Sequence, residues 1–135
     1  MYSQFSRLLK AAERTARQQE VKISLTKDQR AFVIRALNDT FRQTFAGGLL
    51  TIRAGVAALC PEVRAEVLRR VREFIHFTPE NNPHIENDFG SFKILDAVYA
   101  WKIDCYDKNM EFGSPDPTDP RVTTRVLTIM SLDEY

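Results

Sequence analysis

Trp101-Lys102-Ile103-Asp104-Cys105-Tyr106-Asp107 is the stretch from which the rest of the chain can be read. It alternates apolar and polar residues with a period of two, the pattern of a strand with one face on a core. Tyr99, the single Trp of the chain at 101, Ile103 and Cys105 share one face. Val98, Ala100, Lys102, Asp104 and Tyr106 share the other. A Trp flanked by apolar residues belongs to the core side, so Lys102 and Asp104 are expected to project together from the opposite side as a charged pair.

Upstream, 89–95 alternates in the same way and predicts a strand, with Asp96-Ala97 as the turn into 98–106. Downstream, the spacing allows a short strand at 110–112, and Gly113-Ser114-Pro115-Asp116-Pro117-Thr118-Asp119-Pro120 is a loop. Asp119 followed by Pro120 is a helix-start signal. Val122, Val126, Ile129 and Met130 suit a helix, whereas the density of β-branched residues suits a strand. The cap decides for a helix over 122–132.

The first half of the chain is helical in pattern. Phe5, Leu8, Leu9, Ala12 and Ala16 recur at helical spacing over 3–19, with Arg7, Lys10, Arg14 and Arg17 along another side. Thr26-Lys27-Asp28-Gln29 has the form of a capping box, opening a helix that turns Val33, Ile34, Leu37, Phe41 and Phe45 inward and carries Asp28, Arg35, Asp39 and Arg42 outside. Gly47-Gly48 is expected to end it. Leu49 to Arg53 reads as a short strand, and 55–59 gives no decided conformation. Pro61 and Glu62 open a further helix to about Phe74, with Val63, Val67, Val71 and Phe74 inward and a Glu66–Arg70 pair outside.

These elements predict an α+β fold: a small, mainly antiparallel sheet of three to four strands packed by about four helices. The division is an N-terminal basic amphipathic helix and linker over 1–24 and a single α+β domain over 25–135. The 135 residues suffice for one core, with 44% hydrophobic and 27% charged residues. No stretch has the form of a signal peptide or a membrane span, so a cytoplasmic protein without membrane contact is expected. Cys60 and Cys105 lack the spacing of a metal clip and are expected as reduced thiols.

The formal net charge of +1 conceals a division. Residues 1–60 carry 10 Lys/Arg against 4 Asp/Glu, and 61–135 carry 9 against 14. Such a division suits two halves that attract each other, or a basic binding face. The stripe of Arg7, Lys10, Arg14 and Arg17 is the candidate nucleic-acid surface, an alternative reading in which clustered cations neutralise phosphates. Without interleaved aromatics it reads first as the solvated side of a surface helix.

The long connection 76–87 holds both histidines, and His84, Glu86 and Asp88 alternate as metal ligands on an extended segment would. Asp88, Lys102, Asp104, Asp107 and Asp116 provide acids and a lysine of the kind used in metal-dependent phosphodiester cleavage. However, the acid expected two residues before the lysine is Ala100, and Lys102 precedes Asp104. Cys105 shares a strand face with Trp101, the placement of an inert thiol, and Cys60 before Pro61 has packing or capping as its plain role. No glycine-rich phosphate loop is present. The reading is therefore no catalytic residues, no metal and no cofactor. The candidate binding residues are Lys102, Asp104, Tyr106, Asp107, His84, Asp88 and Asp116, the partner is another protein, and metal-dependent phosphodiesterase activity is a further alternative.

Six ordered motifs carry a resemblance: Gly55-Val56-Ala57-Ala58-Leu59, Phe77-Thr78-Pro79-Glu80-Asn81, Asp88-Phe89-Gly90, Trp101 to Asp107, Gly113-Ser114-Pro115-Asp116-Pro117, and Arg125-Val126-Leu127-Thr128-Ile129-Met130 with Glu134-Tyr135. From about Ile34 to Tyr135 the chain resembles the proteobacterial domain-of-unknown-function family numbered 3768. The resemblance implies a short single-domain protein of the kind often carried on plasmids and integrated elements. A regulatory or host-directed role by surface contact, such as blocking a defence system, is the function it implies. Cys105 stands where that family shows a second Tyr in the strand motif, which argues further against a catalytic thiol.

Overall fold

The computed structural model describes residues 4, 6–11 and 24–135. Three α-helices and four strands follow in order: α1 (Lys27–Thr44), β1 (Leu49–Ile52), α2 (Ala54–Ala57), α3 (Pro61–Arg72), β2 (Phe89–Ile94), β3 (Ala97–Tyr106) and β4 (Thr124–Ser131), then a 3₁₀ turn at Leu132–Glu134. Residues 6–11 are helical as well. The strands form one sheet in the order β1-β4-β3-β2, antiparallel except for β1 beside β4. The fold is α+β, as the residue pattern predicts.

The capping box at the start of α1 is complete. The Gln29 amide donates to Thr26 Oγ1 at 3.2 Å and the Thr26 amide to Gln29 Oε1 at 2.9 Å. At the other end Phe45, not a glycine, takes the left-handed cap at φ 58°, its N–H reaching Phe41 O at 2.7 Å. The undecided 55–59 segment holds α2, which buries Val56 completely.

α1, α2 and α3 lie on the sheet face that carries Trp101. Phe41, Val56, Val67, Val71 and Phe74 meet Tyr99, Trp101, Ile103, Leu127 and Ile129 in one core. Phe74 and Phe77 approach the Trp101 ring edge-on, at centroid distances of 5.6 and 6.1 Å. Gly90 lies directly across from it in the register. A Cβ on Gly90 would come within 2.5 Å of Trp101 Nε1 and 2.7 Å of the Phe74 ring, so only glycine lets the ring lie flat there.

Further expectations are corrected. The 122–132 segment is strand β4, not a helix. The Asp119 carboxylate accepts from the Arg121 amide at 2.9 Å and closes a local turn instead of capping a helix. As a central strand β4 buries Leu127 and Ile129 on one face and Thr128 and Met130 on the other, so its sequence loses the alternation that marks a half-buried strand. The β2–β3 turn is Leu95-Asp96, since Ala97 already pairs with Ile94, and Leu95 takes a φ of 53°. Residues 110–112 form no strand; only an isolated bridge joins Tyr106 to Gly113, because the chain coils around the Asp107 carboxylate, which accepts from the Glu111 amide at 3.0 Å.

Arg42 is not on the outside of α1. It is almost wholly buried, donating to Phe74 O at 3.0 Å and Val71 O at 3.2 Å and pairing with Asp39 at 3.0 Å. A helix end leaves carbonyls without intrahelical partners, and this guanidinium donates to three at and just beyond the end of α3, those of Val71, Arg72 and Phe74. Leu8 and Leu9, on the expected apolar side of the first helix, are exposed to solvent. Glu66 pairs with Arg69 and not with Arg70, whose guanidinium lies over the Phe92 ring.

Candidate functional site

α1, α2 and α3 contribute to the core on the Trp101 face, and the opposite face of the sheet carries Phe89, Lys102, Asp104, Tyr106 and Thr128 in register, with the buried Ala100 and Met130 beside them. Lys102 Nζ lies 3.0 Å from Asp104 Oδ2, and that hydrogen bond holds the lysine above its ordinary pKa. Tyr106 is half-buried at the far end of β3. At the near end the 3₁₀ turn packs beside β3, and the Tyr135 ring meets Phe89 edge-on at 5.4 Å. That turn is anchored by Glu134, whose carboxylate accepts from the Ser131 hydroxyl at 2.7 Å and from the Gly55 amide at 3.1 Å.

Asp88, at the entry to β2, connects this face to the loops. Its backbone carbonyl accepts from the Ile103 amide at 2.8 Å. Burial pushes its carboxyl up, with the Asp104 charge adding and His84 opposing. Glu86 is raised by burial first and by Asp88 second. Burial also pushes the half-buried Cys105 thiol up, with the Arg125 charge opposing.

The loops 76–88 and 113–119 come together against α1. Asn38 Nδ2 donates to Glu86 O at 3.0 Å, Arg35 to Ile85 O at 3.0 Å, and Arg30 pairs with Asp116 at 3.1 Å. The buried Arg125 donates through Nε to Asn38 Oδ1 at 2.9 Å and through Nη2 to Pro117 O. Within the first loop Asn82 Nδ2 donates to Asn87 Oδ1 at 2.7 Å, and the Asn87 amide returns to Asn82 Oδ1 at 2.9 Å. Between α1 and these loops lies an open cleft of about 640 Å³ lined by Lys27, Arg30, Ile34, His84, Glu86 and Pro117.

Of the residues singled out from sequence, Lys102, Asp104 and Tyr106 share one face, with Asp88 at its edge and His84 beside Asp88. Asp107 is engaged in its own turn. Asp116 accepts from the Thr118 hydroxyl at 2.7 Å, which together with Arg30 holds its carboxyl below the usual range. Among the described residues no group of three or more His, Cys, Asp or Glu is arranged to hold a metal ion, so Asp88, Asp104 and Asp107 do not make a coordination sphere. Arg7 and Lys10 are exposed; Arg14 and Arg17 lie outside the described residues.

Sequence reasoning passed over Arg30, Asn38 and Arg125, which join the two loops. Asn38 carried a signal: it stands four residues after Ile34 and three before Phe41, a polar side chain on the inward stripe of α1. Arg125 was hidden by the helical reading of its segment.

No helix among the described residues is long and apolar enough to cross a membrane. Comparison with curated proteins gives no match, and neither does comparison with solved structures. The model of one family does match, over residues 52–134, a span that takes in the six motifs from Gly55 to Met130 and extends to Glu134. The chain belongs to that family, described as Protein of unknown function (DUF3768).

Proposed function

We propose that this protein is a recognition module for another protein, working by surface contact without catalysis. The contact surface is the sheet face of Lys102, Asp104 and Tyr106, opposite the core formed with α1, α2 and α3 and continued by Asp88 and His84 at its edge. The observation that supports this reading is that α1, α2 and α3 contribute to the core on the other face, which leaves a half-exposed charged pair and an aromatic hydroxyl on a central strand. Tyr beside a charged pair is a composition suited to protein contact, since the ring supplies area at low entropic cost and the charges select register. The resemblance to a family of mobile-element proteins gives this reading a setting: a cytoplasmic protein acting on a host component.

Site-specific photo-crosslinking in cells tests it. A benzophenone side chain replacing Tyr106 is expected to capture a discrete protein, whereas the same group replacing the exposed Glu62 on α3 does not. Capture at position 106 should be lost when Asp104→Lys is added. Equal capture at both positions, or capture indifferent to Asp104→Lys, defeats the proposal.

A further inference from the structure

The sheet has two edges, and they differ. On the β2 edge, the strand carries Lys93 and the Arg70 guanidinium lies over Phe92 at 5.3 Å, devices that discourage strand-to-strand pairing. The β1 edge has neither. Its four residues Leu49-Leu50-Thr51-Ile52 contain no charge and no proline, and Leu49 and Leu50 are 53% and 38% exposed.

The direction of the free backbone groups on β1 follows from its pairing. The Arg53 amide donates to Ile129 O at 2.9 Å, so Arg53, Thr51 and Leu49 turn their N–H and C=O groups toward β4. Leu50 and Ile52 therefore turn theirs outward, where no backbone partner meets them among the described residues. An antiparallel neighbour needs two such residues spaced by two. Two copies of β1 meet this requirement with each other: Leu50 of one opposite Ile52 of the other, and Thr51 opposite Thr51 on the two-fold axis.

In that register both outward residues of each copy exchange N–H and C=O bonds with the partner strand, four hydrogen bonds in all by the geometry of antiparallel pairs. Leu50 and Ile52 meet on the helix side, and Arg53 falls opposite Leu49, so no like charges face each other. We infer that β1 is a self-association edge, at which two copies of this chain join their sheets through antiparallel β1 strands about a two-fold axis at Thr51. The occupant is a second copy because the strand is its own complement in an isologous contact, and such closed two-fold contacts are the commonest form of oligomer. The inference is independent of the open-face reading.

Sedimentation of the full chain, together with cysteine crosslinking, tests this. The mass should rise with concentration from 15.6 kDa toward twice that value. In a Cys60→Ser background, which removes the exposed native thiol, Thr51→Cys should give a disulfide-linked dimer on air oxidation. The Cα separation expected across a non-hydrogen-bonded pair, about 4.5 Å, lies within disulfide reach. Leu50→Cys, whose opposite is Ile52, should not crosslink.

Leu50→Pro removes one outward donor per copy without touching the β4 ladder, and should raise the dissociation constant by about tenfold or more. Unchanged Trp101 fluorescence confirms that this variant is folded. A chain that stays at 15.6 kDa at the highest soluble concentration overturns the inference. So does a dimer that forms equally with Leu50→Pro and does not crosslink through Thr51→Cys.

Discussion

The Arg42 guanidinium carbon lies 5.1 Å from the centroid of the Trp101 ring and 5.5 Å from that of Phe77, in a site where Arg42 is 2% exposed. A buried cation is tolerated here because the aromatic faces, the Asp39 carboxylate and the carbonyls at the end of α3 surround it. Arg42→Ala removes the guanidinium donor from the Val71, Arg72 and Phe74 carbonyls and the cation paired with Asp39, which keeps its Asn87 amide donor, and should cost about 3–5 kcal/mol in urea unfolding. The emission of the single Trp should shift as well. A loss well under 1 kcal/mol would show that the guanidinium is not what fastens α1 to α3.

Gly90 and Trp101 occupy one register position on adjacent strands. Gly90→Ala places a methyl group where Trp101 and Phe74 already stand, an overpacking expected to cost about 1–3 kcal/mol. Because the clash is with rings and not with a flexible side chain, a compensating Phe74→Leu should restore part of the loss. Additive destabilisation by the two changes would contradict this.

Asp88 gives the stability a pH dependence of the less common sign. Its carboxyl is raised on folding, so its contribution is present below the unfolded carboxylate value and is lost as pH rises through the folded one. Asp88→Asn stays neutral throughout. The variant should therefore be more stable than the parent at neutral pH, with the difference closing in acid, as read by urea unfolding across that range.

Glu134 behaves oppositely. The Ser131 hydroxyl first, and the Ser131 and Gly55 amides after it, hold its carboxyl below the ordinary value. Its contribution is present above the unfolded value and lost as pH falls through the folded one. Glu134→Gln should lower the melting temperature at neutral pH and matter little in acid. A constant offset at all pH values would assign the effect to packing.

Lys102 and Asp104 are each more than a third exposed, so their pairing adds little to stability. A double-mutant cycle is expected to give a coupling energy below about 1 kcal/mol. The partner contact proposed for this pair can then be tested by substitution there with little effect on folding.

The division of β3 into a core face and a more polar face was legible because one side packs in the core with α1, α2 and α3, which the period-two pattern records directly. The capping box and Pro61 were equally legible, being local chemistry. The fate of 122–132 was not, because a strand buried on both faces and a buried helix share the same apolar density, and the Asp119-Pro120 signal fits a turn as well as a cap. Arg42 and Arg125 escaped for a related reason. Charge places a residue outside by default, and only the tertiary arrangement brings enough carbonyls and rings to one point to hold a guanidinium inside.

The place of β4 between β1 and β3 has a consequence for how the chain assembles. The β2–β3 hairpin can close from neighbouring residues, but β1 has no strand to rest on until 124–131 has been synthesised and has docked at the hairpin's other side. Until then the β3 edge of the hairpin has no β4 beside it, and the helices made earlier have only half a sheet to pack on. The last strand in the chain order is thus the keystone of the sheet, and a nascent polypeptide interrupted before Thr124 would present unpaired edges and uncovered core to the chaperones around it.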